Sequence, residues 1–226
     1  MAWLTREGVA HWETYPAPGR EVAPMSNLSA VALSCSLKSS TEESSSELMA
    51  KHVLAELAKN GVTVEDPIRV ADHDVHFGTD TDMGDGDGWP EIREKILAAD
   101  ILVLSTPIWM GHPASVASMV TERIDAESSK TGADGRPTMF GKVALVAVVG
   151  NEDGAHNVTA DMMQALNDVG FTIPAQGGTY WVGEAMGDVV YKDLDEVPEV
   201  VAETTATAAR NAAHLAGLLA GNKYPA

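Results

Sequence analysis

Apolar positions along the chain follow two periodicities in alternation. Residues 31–33, 101–104 and 143–149 are uninterrupted apolar runs, as parallel strands covered on both faces should be. Between them apolar residues recur at steps of three and four. Ala50, Val53, Leu54, Leu57 and Ala58 predict a helix that begins near Ser46 and stops at Asn60-Gly61. Residues 62–70 read as a strand, with Pro67 pointing to an edge position or an early end. Trp89-Pro90 opens a short helix carrying Ile92, Ile96 and Leu97 inward. Ser115, Val116, Met119, Val120 and Ile124 mark another, and Val158, Met162, Leu166 and Val169 a fourth that ends at Gly170. Residues 171–174 predict a short last strand. A final helix over about 195–219 is patterned by Val201, Thr205, Ala208, Ala212, Leu215 and Leu219. Five strands alternating with helices predict an open α/β sandwich of three layers.

The 226 residues suit one domain over residues 26–226, preceded by a Pro-rich extended arm over residues 1–25. Met25 stands just before the first strand, which leaves open that the first 24 residues are an extension. The formal charge of −18, from 33 acidic against 15 basic residues, repels a phosphate backbone, so no nucleic-acid partner is expected. Cys35 is the single cysteine, which excludes an intrachain disulfide and makes a reducing cytoplasm the expected compartment. No run of about 18 apolar residues suggests a membrane span. Methionine outnumbers phenylalanine by 10 to 3, so flexible thioethers are expected in the core or a pocket. Residues 72–88 are rich in Asp and Gly, but their spacing fails the calcium-loop pattern. A solvated or partner-facing loop is expected there.

Candidate chemistry gathers where strands end. After the first strand come Ser34, Ser36, Lys38, Ser39, Ser40, Thr41, Ser44, Ser45 and Ser46. Alone they read first as a capped helix in a solvated loop. The unpaired N–H groups and positive dipole end of the following helix would also hold an anion. The second loop is Pro107-Ile108-Trp109-Met110-Gly111 and the third is Gly150-Asn151-Glu152-Asp153-Gly154. In an open α/β sheet such loops converge outside the carboxyl ends of the strands, which strengthens the anion-site reading. His156 follows the third loop as either a proton donor or a surface histidine.

These three loops together resemble those of the flavodoxin-like superfamily, in its NAD(P)H-dependent FMN reductase and WrbA-like branch, over roughly residues 29–219. The resemblance implies a five-stranded parallel sheet in the order 2-1-3-4-5 and FMN as cofactor, with NADH or NADPH as a transient hydride donor and a quinone or other small molecule as electron acceptor. It implies that Ser34, Ser36, Lys38, Ser44, Ser45 and Ser46 meet the phosphate. Pro107, Ile108, Trp109, Met110 and Gly111 would lie beside the ring, with Gly150, Asn151, Glu152, Asp153 and Gly154 across from them. Glu152 and Asp153 are expected to face solvent while their backbone serves the flavin. Tyr180 or Trp181 is expected to cover the ring, Tyr180 being taken as the site residue. Lys38 stands where the family often has arginine. A homodimer or homotetramer is implied as well. Two alternatives stay open: a flavodoxin-like electron carrier, and an FMN-binding protein without turnover.

Overall fold

A computed structural model describes residues 27–225; the expected N-terminal arm lies outside them. Among these residues seven strands and five α-helices follow in the order β1 (Ser29–Ser34), α1 (Ser45–Lys59), β2 (Thr63–Val64), β3 (Ile68–Arg69), α2 (Trp89–Ala98), β4 (Ile101–Trp109), β5 (His112–Pro113), α3 (Ser115–Asp125), β6 (Val143–Gly150), α4 (Ala155–Asp168), β7 (Gly178–Val182) and α5 (Glu199–Gly221). The parallel sheet runs β2-β1-β4-β6-β7, with β3 also beside β1. Its register pairs Val31 with Leu102, Leu102 with Ala144 and Val148 with Tyr180.

Strand residues alternate between two cores, as the period of two requires. Ala30, Ala32, Ile101, Val103, Leu145 and Ala147 face α1 and α5, whereas Leu33, Leu102, Leu104, Ala144, Val146 and Val148 face α2, α3 and α4. The three layers and the order of strand positions are those expected. The small side chains Ala208, Ala209, Ala212, Ala213 and Ala216 bring α5 onto the sheet with no large side chain in between. Thr205 is the polar member of that stripe. Its hydroxyl donates to the Val201 carbonyl at 2.7 Å and lies 2.9 Å from Thr179 Oγ1. Thr205→Val keeps the shape but strips the buried Thr179 hydroxyl of that partner, and urea unfolding should register a loss of about 1 kcal/mol.

Four boundaries differ from expectation. Residues 62–70 form two short edge strands, because Pro67 cannot donate to the ladder. The second loop is largely strand: β4 continues through Pro107 and Ile108 to Trp109 and turns back into β5. Residues 171–174 contribute only the bridge of Thr172 to Val143. There the chain turns, with the Gly177 N–H on the Pro174 carbonyl at 3.0 Å, and the last strand begins at Gly178, where a loop was expected. Finally, α5 starts at Glu199, directly after Pro198, since the residue before a proline is held extended.

The acidic segment 72–88 is not simply solvated. The Asp87 carboxylate is fully buried against Arg123, with Oδ2 2.7 Å from Nη2. It also accepts the backbone N–H groups of His76, Met83 and Trp89. Arg123 in turn donates to the His76 and Asp80 carbonyls and lies 5.6 Å from the centre of the Trp89 ring. Burial alone would raise the Asp87 pKa, but Arg123 and the three N–H groups together hold it well below the usual carboxylate range.

Candidate functional site

The carboxyl ends of β1, β4 and β6 open into a cavity of about 740 Å³ at the point where strand order reverses. One end is built by the first loop. Ser44 caps α1, its Oγ accepting from the Glu47 N–H at 3.3 Å, and the Leu48 N–H reaches the Ser44 carbonyl. The cap leaves the Ser45 and Ser46 N–H groups at the open helix end, where the macrodipole is positive. Ser46 is fixed from below: Ser105 Oγ donates to its carbonyl at 2.7 Å, and Ser34 Oγ lies 3.4 Å from its hydroxyl. Ser34 itself is buried and supports the corner without lining the cavity.

An arginine does serve this loop, but from another strand and from beneath. Arg69 on β3 is buried, donates to the carbonyls of Lys38, Ser39 and Glu42, and pairs with Glu47. It therefore braces the loop's backbone and leaves the open end to Lys38. Lys38 lines the cavity and is paired with Glu42 at 2.5 Å on the surface.

The other end is apolar. Pro107, Ile108, Trp109 and Met110 from the β4 end face Val149, Gly150, Asn151 and Glu152 from the β6 end. Met110 (φ 53°) and Gly111 (φ 76°) form the two-residue turn between Trp109 and His112, and positive φ at both central positions is the geometry of a type I′ hairpin. A methionine in that conformation, 88% exposed, is strained, and such strain is concentrated at functional sites. The turn is held by its neighbours. The Met110 N–H donates to Glu152 Oε1 at 2.7 Å, and Asn157 Nδ2 to the Gly111 carbonyl at 3.0 Å. Gly111 and Gly154 pack so closely that a Cβ on Gly154 would lie 2.6 Å from Gly111 Cα. Gly111, Gly154 and the exposed Asp153 thus shape the mouth from behind and do not line the cavity.

Tyr180 is likewise outside it. On β7, Thr179 and Trp181 face α5 while Tyr180 points the other way and packs edge-on against His156, ring centres 5.3 Å apart. Trp181 lines the cavity instead, beside Tyr191 at 5.6 Å. Tyr191, Lys192, Val190, Gly187 and Met186 had no signal in the sequence; they belong to the segment between β7 and α5, which has no periodicity. Only the Trp181 alternative had been visible. Burial pushes the Tyr191 phenol up to about 12, and its hydroxyl meets His52 Nδ1 at 2.8 Å. The His52 pKa is lowered by burial, with the Glu56 charge opposing.

The sheet order and the strand-end cavity define a flavodoxin-like α/β protein. Residues 28–187 match the family described as NADPH-dependent FMN reductase. The chain belongs to that family. It is 31% identical over 167 residues to the 8-demethyl-8-aminoriboflavin-5′-phosphate synthase of Streptomyces davaonensis, a match covering 70% of this chain and 65% of that protein. Over 170 residues it is 35% identical to a protein of Mycobacterium bovis named divalent metal cation transporter MntH, a match covering 74% of this chain but 25% of the relative. The chain thus spans a quarter of one curated relative and about two thirds of the other. Among the described residues no helix is long and apolar enough to cross a membrane. The structure of RosB with bound 8-demethyl-8-formylriboflavin-5′-phosphate superposes with a TM-score of 0.77 at 28% identity, covering 87% of this chain and 82% of that one. An archaeal flavodoxin, at 9% identity and a TM-score of 0.53 over 84% of this chain and 99% of its own, shares the fold.

The residues fit FMN. The cavity falls in the size range that encloses most of a ligand of that kind. Its polar end supplies orphaned N–H groups, hydroxyls and lysine for a phosphate, and its apolar end supplies Trp109, Trp181 and Tyr191 for a flat ring.

Proposed function

We propose that the chain is an NAD(P)H-dependent oxidoreductase that binds FMN in the strand-end cavity and passes electrons to a quinone or another small acceptor. The carrying observation is the junction, in one cavity, of a serine-capped helix N-terminus with an aromatic wall. When bound, FMN supplies the redox chemistry between nicotinamide and acceptor. The chain's own residues bind and orient. Ser44, Ser45 and Ser46 donate to the phosphate, with Ser36 and Lys38 beside them. Trp109, Trp181 and Tyr191 exclude water from the ring. The backbone at Gly150, Asn151 and Glu152 faces the ring's polar edge, where preorganised donors stabilise developing charge better than mobile water. The exposed mouth at Trp109 and Met110 leaves nicotinamide and acceptor room to alternate in one pocket.

Titration with FMN, followed anaerobically by NADH and NADPH, tests this by absorbance. Saturable binding and rapid bleaching of the flavin band by either nucleotide are expected; binding with slow bleaching would favour the electron-carrier reading, and no binding would reject the proposal. Lys38→Ala should weaken FMN more than riboflavin, which lacks the phosphate, and equal losses would remove Lys38 from the phosphate site.

The likeness to RosB and to the Streptomyces synthase supports a second reading, in which a riboflavin 5′-phosphate is consumed as substrate. Flavin that returns chemically unchanged from a turnover mixture, by mass spectrometry, would exclude it. Assembly as a homodimer or homotetramer is also proposed, on the family resemblance; a monomer mass in solution scattering would refute it.

A further inference from the structure

The segment from Gly183 to Lys192 crosses one side of the cavity as a strap with two moorings. At the β6 end, Asn151 Nδ2 donates to the carbonyls of Gly187 and Val189 at 2.8 and 2.7 Å. The Gly183 and Met186 N–H groups bond back to the carbonyls of Gly150 and Asn151. The Asn151 amide is therefore committed to the strap and not to a ligand. At the α1 end, the Lys192 N–H donates to Ser45 Oγ at 3.2 Å, and Tyr191 meets His52. The strap thus delivers Lys192 to the cavity wall beside Ser44, Ser45 and Ser46, in the first turn of α1.

We propose that Lys192, delivered by the strap to the cavity wall that Lys38 also lines, is a second cation for the flavin 5′-phosphate at the α1 N-terminus. The inference rests on the FMN reading above. Lys192 Nζ stands 2.7 Å from Asp193 Oδ1 and 3.7 Å from Glu43 Oε2. Asp193 is half exposed and Glu43 is 87% exposed, and such solvated pairs contribute little to stability. A dianion held by the Ser45 and Ser46 N–H groups offers the ammonium a stronger, charge-assisted partner. The acids also have a consequence. With Glu42, Glu43 and Asp193 against Lys38 and Lys192, this end carries one net negative charge, so removing either lysine leaves the phosphate facing an acidic surface. Lys38, in an equally solvated pair with Glu42, is the other cation at this end, and one lysine alone does not offset three carboxylates.

The test compares FMN with riboflavin, by flavin fluorescence, in the wild type, Lys192→Gln and Lys192→Arg. Lys192→Gln should lose about tenfold in FMN affinity, flatten the salt dependence of FMN binding and leave riboflavin affinity unchanged. Lys192→Arg should retain most of the FMN affinity. Equal losses for both flavins, or no loss for either, would overturn the proposal while leaving the cofactor reading intact. A wild type that binds neither flavin would overturn both. The unfolding midpoint of ligand-free Lys192→Gln should match the wild type. If it falls, Lys192→Arg decides: restored stability without restored FMN affinity counts against the phosphate role.

Discussion

Asp87→Ala should lower the unfolding free energy by about 3 to 5 kcal/mol, because it leaves the Arg123 guanidinium buried without its counter-charge. In a domain of this size that corresponds to roughly 10 °C in melting temperature. The loss has three parts. The ion pair goes, three backbone N–H groups from His76, Met83 and Trp89 lose their acceptor, and the segment they organise is freed from α3. The pH dependence has a definite sign. The folded-state Asp87 pKa is depressed, so its contribution is fully present above the unfolded carboxylate value of about 4. It drains away as pH falls through the lower folded value. Wild type and Asp87→Ala should therefore differ most at neutral pH, and the gap should begin to narrow only below the unfolded carboxylate value of about 4, closing further as pH falls toward the depressed folded value. A stability gap that stays constant from neutral to acid pH would show that the pair contributes nothing through its charge.

Gly154→Ala should reduce FMN affinity by at least about tenfold, the cost of one misplaced wall, with a stability loss of roughly 1 to 3 kcal/mol. The added Cβ would meet the Gly111 Cα at 2.6 Å and its carbonyl oxygen at 2.9 Å. Both are backbone atoms, so relief requires the turn at Met110 to leave the β6 loop, taking Trp109 with it. The φ of 124° at Gly154 adds strain of its own. Gly135→Ala separates the two effects: Gly135 has φ 78° but nothing within 4 Å of a Cβ, so it should show strain with no change in flavin affinity. If Gly154→Ala binds FMN like the wild type, the interlocked glycines do not set the ring site.

The parts of the cavity that sequence revealed are those tied to a regular element. Ser44, Ser45 and Ser46 precede a strong helical pattern, and Gly150 and Asn151 follow an unbroken apolar run, so both could be placed by periodicity. Periodicity does not choose Trp181 over Tyr180, because neighbouring strand residues face opposite ways and the pattern places the last strand at 171–174. Once parity is undefined, a tyrosine and a tryptophan side by side are equal candidates. The role of Arg69 was hidden for a different reason. Its partners are backbone carbonyls of Lys38, Ser39 and Glu42, and a carbonyl leaves no mark in a sequence. The strap was hidden in the same way, since Asn151 holds it by the carbonyls of Gly187 and Val189. Asp87 stands among nine other Asp and Gly residues of segment 72–88 and reads as solvated; only the fold shows that one carboxylate turns inward to Arg123.

The strap also bears on descent. The match to the reductase family ends at Gly187, before Val190, Tyr191 and Lys192, and no strand register depends on the residues from there to Pro198. Substitutions at its exposed positions can change the charge along one wall of the cavity while the sheet is unchanged, whereas Tyr191, Leu194 and Val197 are held by the core they pack on. Relatives that share the scaffold can in this way diverge at a few exposed positions of one wall, provided those three side chains keep their places in the core.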